Sequence, residues 1–229
     1  MTFPAGPPRR ALVVRGGWEG HVPVEATELF TAGLERDGFE VELADTLEVY
    51  TDAALLGATD LVVQCWTMGT ITDAQANGLR EAVAAGTGLA GWHGGIVDSF
   101  RSCPGYLQLT GGQFVAHPGG FVDYEVVVEP GRRDHEIVAG IDSFSLRSEQ
   151  YWVLTDAAVE VLATTPIPAP GGDPWHEGVR VPAVWTRRWG RGRVFVTTIG
   201  HQKEVRDLEV PEVQRIVERG MRWAARRAG

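Results

Sequence analysis

The chain predicts an α/β protein with a mostly parallel central sheet. Three observations carry this. Short apolar runs of strand length end in glycine or a polar residue. Amphipathic stretches of helical period lie between them. The two kinds alternate in order from residue 11 to residue 92. The 229 residues are 44% hydrophobic and 22% charged, which suits a globular chain able to bury a core without disulfides.

The elements follow in order. "ALVVRGG" (11–17) is an apolar run that ends in glycines and reads as a buried strand. From Val24 to Asp37 the apolar residues Val24, Leu29, Phe30 and Leu34 recur at helical spacing, and Gly38 stops the helix. "FEVELAD" (39–45) alternates like a strand, and 51–56 holds one or two helical turns. "DLVVQCW" (60–66) is the third strand. "TDAQANGLREAVAAG" (72–86) is a helix with Thr72 as cap and Gly86 as stop. "GLAGW" (88–92) is the fourth strand.

Beyond it the character changes. Residues 110–131 are glycine-rich and then strand-like, and 132–150 read as irregular and polar. Residues 157–165, 181–189 and 192–200 read as further strands, and 166–178 as a Pro/Gly loop. Residues 210–227 form an amphipathic closing helix. Its apolar positions Val213, Ile216, Val217 and Met221 pack on the sheet, with a share available to a homo-oligomer interface. No linker or repeat divides the chain, so a flexible tail (1–9) precedes one domain (10–229).

Charge and composition exclude several functions. The net charge of −9 disfavours nucleic acid and anionic membranes as partners. The basic cluster Arg219, Arg222, Arg226 and Arg227 complements the end of the closing helix. Cys65 and Cys103 form no CxxC pair, which fits a reducing cytoplasm. The N-terminus has no signal-peptide run, and no stretch approaches the roughly 18–20 apolar residues of a membrane span.

Chemistry centres on "GLAGWHGGIVDSF" (88–100), a strand, a glycine-framed turn and the start of a helix. Such turns present a nucleophile in hydrolases. Here the presented residue is His93. His21 follows the first strand and His201 a late one, and open parallel sheets bind ligands at strand carboxyl ends. His21, His93 and His201 are therefore the first catalytic candidates, able to move protons or to ligate a metal. Glu149 and Tyr151 share one face of an extended segment and join them as an acid–phenol pair. His117 lies among glycines that permit close approach to a ligand. It is a substrate-binding candidate with Trp18, Trp66 and Trp92, which stand at or just beyond strand ends, and with His135 of the Asp134–His135 turn. His176 falls in the Pro/Gly loop and reads as a loop residue. No short ligand motif is present and no cofactor is required. A divalent metal such as zinc has a supply of ligands in His21, His93, His117 and His201.

The stretches "GGWEGH", "GLAGWHGG", "LTGGQFVAHPG", "RDHEIVAGIDSFSLRSEQYWV" and "PAVWTRRWGRGRVFVTTIGH" run nearly the whole chain in order. In these the chain resembles the ThuA-like (trehalose utilisation) family of the class I glutamine amidotransferase-like superfamily. The resemblance implies a flavodoxin-like three-layer sandwich with its site at the strand carboxyl ends. Glutaminases of that superfamily carry a cysteine on the elbow and a downstream His–Glu pair. His201 with Glu204 resembles the pair, but His93 replaces the cysteine, so a glutaminase is not expected. The family context implies carbohydrate catabolism on a disaccharide or keto-glycoside, through a lyase, isomerase or hydrolase reaction. A non-catalytic sugar-binding module on the same fold is the alternative.

Overall fold

The computed structural model describes residues 8–169, 173–175 and 177–227, the side chains of Glu204 and Val205 excepted. His176 and most of the expected N-terminal tail lie outside these residues. Arg9, assigned to the tail, instead opens the first strand, where it pairs with Phe39.

Strands β1 (Arg9–Gly17), β2 (Phe39–Ala44), β3 (Leu61–Thr67) and β4 (Gly88–Trp92) alternate with helices α1 (Pro23–Arg36), α2 (Ala53–Ala58) and α3 (Asp73–Ala85). Short helices α4 (Gly94–Val97) and α5 (Pro104–Thr110) follow the elbow. Then come β5 (Gly112–Ala116), β6 (Phe121–Val128), β7 (Phe144–Glu149), β8 (Trp152–Thr155), β9 (Glu160–Ile167), β10 (Val179–Trp189) and β11 (Gly192–Thr197). The chain closes with α6 (Gln202–Val205) and α7 (Pro211–Ala224).

The main sheet has nine strands in the order β2-β1-β3-β4-β11-β10-β9-β6-β7. Strands β2, β1, β3, β4 and β11 are parallel neighbours, as the alternation predicts. The β10-β9-β6-β7 portion extends the sheet with antiparallel pairs. Strands β5 and β8 form a separate two-stranded ribbon. Strand β7 lies inside the segment read as irregular. Its FSLRSE sequence alternates outward polar with inward residues, a weak signal that pairing with β6 completes.

Strand period 2 sorts the core into two layers. Ala11, Val13, Val63, Ala90 and Phe195 face α1 and α7, where they meet Phe30, Leu34 and the α7 stripe. Leu12, Val14, Val62, Leu89 and Val196 face the other way, toward Leu79 and Val83 of α3 and Tyr106 of α5. Val213, Ile216, Val217 and Met221 are at most 2% exposed, so the sheet absorbs the whole stripe and leaves none of these four for a subunit interface. Thr72 caps α3 in a reciprocal capping box with Gln75, and Gly86 ends it. Among the described residues no helix is long and apolar enough to cross a membrane. The result is an α/β sandwich with helices on both faces of its central sheet.

Candidate functional site

Three parallel strands deliver a histidine each to their carboxyl ends. After β1, a 3-10 turn (Glu19–His21) carries His21 inward, and the next residue, Val22, takes the left-handed region at φ 40°. A β-branched residue there is strained, and such strain collects at sites that must hold one geometry. After β4, His93 itself sits at φ 48°, with its N–H donating to Thr197 O at 2.7 Å. The following glycines are required by space. A Cβ at Gly94 would lie 2.5 Å from His21 Cε1, and one at Gly95 2.9 Å from Cys65 Cα. After β11, His201 enters just ahead of α6. Glu149 ends β7 and reaches the same point from the antiparallel portion of the sheet.

The three imidazole rings converge, with centroids 4.6 Å apart for His21 and His93, 5.0 Å for His21 and His201, and 5.4 Å for His93 and His201. Glu149 Oε2 stands 3.3 Å from His93 Nε2 and 3.5 Å from His201 Nδ1. One ligand atom from each of His21, His93, Glu149 and His201 lies within 4.8 Å of all the others.

Their hydrogen bonds decide which atoms are available. His93 Nδ1 is 2.7 Å from Thr198 O. A carbonyl only accepts, so Nδ1 carries the proton and Nε2 is left facing the carboxylate. His21 Nδ1 is 2.9 Å from Thr67 Oγ1, and its buried Nε2 has no hydrogen-bond partner among the described residues. Burial, then the neighbouring His93 and His201, hold the His21 imidazole down to about 3, so it is neutral at physiological pH. Burial pushes the Glu149 carboxyl up, but the imidazoles of His201 and His93 that face it outweigh this. The group titrates well below the usual carboxylate range.

Tyr151 stacks on His93 at 4.1 Å and is buried. Burial first, then the charges of Glu149, Asp98 and Asp207, push its phenol well above its ordinary range. It therefore holds the His93 ring as a neutral wall. His117, expected among metal ligands, is half exposed at the lip, 3.9 Å from Glu149 Oε1 and outside the four-residue cluster. Glu149 takes the fourth place instead. Trp18 is 49% exposed and meets His21 edge-on at 4.8 Å. Trp66 lies over Gly16 and lines a cleft of about 640 Å³ with Arg15, Glu19, Glu25 and Asp45, at the carboxyl ends of β1 to β3.

Two expected binding residues are elsewhere. Trp92 shares the face of Ala90 and packs on Phe30 at 5.0 Å, 2% exposed, so it belongs to the core. His135 lies against Trp223 near the end of α7, toward the amino ends of the parallel strands, and its Nδ1 accepts from Ile137 N at 3.3 Å. It anchors its own turn.

Neither cysteine takes the elbow. Cys65 is buried against Gly95, and burial pushes its thiol up to about 12; Cys103 precedes α5. The side chain of Glu204 is outside the described residues.

Sequence reasoning missed Thr67 and Thr198, which orient the rings, and Asp207. Buried Asp207 accepts from Ser148 Oγ at 2.6 Å and from Gly200 N at 3.1 Å. It thus ties the residue before Glu149 to the residue before His201. The threonines at the ends of β3 and β11 were a visible signal. Asp207, 59 residues from Ser148, had none.

An α/β sandwich with a polar cluster at its strand carboxyl ends defines the class. Within it, the family model for ThuA, trehalose utilisation, matches residues 10–224, and the chain belongs to that family. Solved structures agree. A ThuA-like protein of Parabacteroides merdae superposes with a TM-score of 0.74 at 18% identity, covering 95% of this chain and 90% of that one. A ThuA-like protein of Bacteroides uniformis gives 0.72 at 20%, covering 97% and 95%. A cytoplasmic protein of Salmonella typhimurium gives 0.62 at 13%, covering 95% and 100%. Among curated protein sequences none matches the chain.

Proposed function

We propose that this ThuA-family chain is a cytoplasmic enzyme of carbohydrate catabolism. It acts on a disaccharide or keto-glycoside at a metal centre held by His21, His93, His201 and Glu149. One observation carries the reading: His93 Nε2, with its proton committed to Nδ1, faces a carboxylate oxygen at 3.3 Å. Two acceptors at that distance repel unless a metal ion or a second proton on the imidazole lies between them. Three imidazoles and a carboxylate are a donor set for zinc or a similar divalent ion. The Nδ1 contacts to Thr198 O and Thr67 Oγ1 are the outer contacts that orient metal-bound histidines. When bound, the ion supplies Lewis acidity toward a substrate carbonyl or hydroxyl.

The chain's other residues fit a sugar. A keto group acidifies the neighbouring C–H, so the reaction needs a proton carrier. His117, open to solvent and 3.9 Å from Glu149 Oε1, is placed to be that carrier. Trp18 and Trp66 offer ring faces to apolar sugar faces. The free cysteines Cys65 and Cys103 and the cytoplasmic Salmonella relative support the location.

The test is elemental analysis of protein purified without chelator, followed by assay on a panel of 3-keto-disaccharides. About one divalent ion per chain is expected, falling below about a tenth of that in His93→Ala and Glu149→Ala, with turnover abolished by chelation. Chelator-insensitive turnover by metal-free protein would replace the metal with histidine acid–base chemistry. Saccharide binding with no turnover would make the chain a binding module.

A further inference from the structure

The end of the sheet opposite the histidines carries a different chemistry. Parallel strands begin there, so helix carboxyl ends gather there too, with their unpaired carbonyls and partial negative charge. Arginines meet them. Arg191 donates from Nε and Nη2 to Ala85 O at 3.1 and 2.7 Å. Arg226 donates to Gly57 O and Thr59 O at 3.1 and 3.0 Å, and Arg193 to Ala225 O.

These bonds explain only part of what is assembled. A cleft of about 490 Å³ is lined by five arginines, Arg188, Arg191, Arg193, Arg226 and Arg227, beside the Ala85–Gly86 turn. Two belong to the C-terminal cluster seen in the sequence, and three come from the β10–β11 hairpin, 30 or more residues away. Among the described residues carboxylates answer two of them, Asp60 at 3.7 Å from Arg226 and Glu136 at 3.1 Å from Arg227. Among the described residues none lies within 4 Å of Arg188, Arg191 or Arg193. Arg193 is buried. Burial first, then Arg227, hold its guanidinium below its ordinary range; Glu136 opposes this, while Arg188 and Arg9 add to it. In a chain of net charge −9, three guanidinium groups of this cavity have no carboxylate partner among the described residues.

We propose that the five-arginine cleft binds a phosphate monoester, a small phosphorylated molecule acting away from the reaction centre. Guanidinium forks pair with tetrahedral oxyanions through two parallel N–H···O bonds, which lysines cannot do. A dianion matches the surplus charge better than a single carboxylate does. The volume lies within the few hundred to 1,000 Å³ typical of small-ligand clefts, so an organic group fits beside the phosphate. A concave pocket on an otherwise acidic chain disfavours an extended nucleic acid backbone.

The experiment is calorimetric titration of the full chain with inorganic phosphate and with a hexose monophosphate, against sodium chloride of equal ionic strength. Arg188→Ala and Arg227→Ala are the variants. Arg188 is exposed, and the side chain of Arg227 is 71% exposed, so both variants should melt as the wild type does. Saturable binding of both probes is expected, at least tenfold weaker in each variant and unchanged in His93→Ala. The last arm separates this cleft from a metal at the histidines, which could itself hold phosphate. Absence of saturable binding, survival of binding in the double variant, or its loss in His93→Ala would overturn the proposal. Tighter binding of a short RNA than of the hexose monophosphate would overturn it too.

Discussion

His21, through burial and then its imidazole neighbours, and Glu149, through the imidazoles that face it, both titrate below their ordinary values, and this sets how the metal-free protein answers to acid. His21 takes a proton at about 3 in the folded chain, against an ordinary 6.5. Between these values the unfolded chain holds more protons, so stability rises with pH. The His21 contribution is complete above pH 6.5 and is lost as pH falls toward 3. Glu149 acts in the same sense lower down. Its folded value is below the ordinary 4.5, so its contribution is present above pH 4.5 and lost as pH falls further. The unfolding free energy of chelated protein, taken from urea titrations, should therefore drop from pH 6.5 downward, by up to about 1.4 kcal/mol per pH unit for each group. His21→Gln should flatten the curve between pH 6.5 and 4.5 and leave below it only the fall that Glu149 causes, shallower than in the parent. At this scale the sequence places His21, His93 and His201 just after apolar strands, and the fold brings their three rings together. Trp92 was misread because a residue at a strand end can still face inward. His135 was misread because its residue type says nothing about which end of the sheet it occupies.

The elbow joining β4 to α4 shows how an element makes a site. Its glycines were plain in "GWHGG", but the sequence could not say what presses on them. Gly94 faces the His21 ring, and Gly95 faces the backbone of β3 beside Cys65. Gly94→Ala would set a methyl 2.5 Å from His21 Cε1 and 2.6 Å from Nδ1, forcing the ring off Thr67. About 1–3 kcal/mol of stability should be lost to overpacking. Zinc affinity, read by competition with a chromophoric chelator, should fall at least tenfold. Affinity unchanged alongside the stability loss would mean that His21 is not a ligand. The elements themselves were largely legible. The strands of the parallel half and the Thr72 cap follow from apolar runs, period and capping chemistry. Strand β7 was not, because an edge strand with a polar outer face carries half the usual signal.

Across the molecule, the site exists only where the two portions of the sheet meet. His21, His93 and His201 belong to the parallel strands, and Glu149 arrives from β7 at the far edge of the antiparallel portion. No local pattern encodes that meeting, which is why the four-residue set could not be read before the topology was known. Asp207 is the bolt across it, accepting from Ser148 on one side and Gly200 on the other. Asp207→Ala would leave a buried hydroxyl and a buried backbone N–H without their acceptor, at a cost of about 2–4 kcal/mol. For a chain of this size the melting temperature should fall by roughly 5–15 °C. A purely structural residue would stop there. Because Asp207 sets the separation of Glu149 from His201, zinc affinity in the surviving folded protein should also fall, by about tenfold. Asp207→Asn keeps one acceptor oxygen and the side-chain shape, so it should recover most of the affinity. Equal affinities in all three proteins would reduce Asp207 to a packing role and leave the Glu149–His201 distance to be fixed by the backbone of β7 and β11.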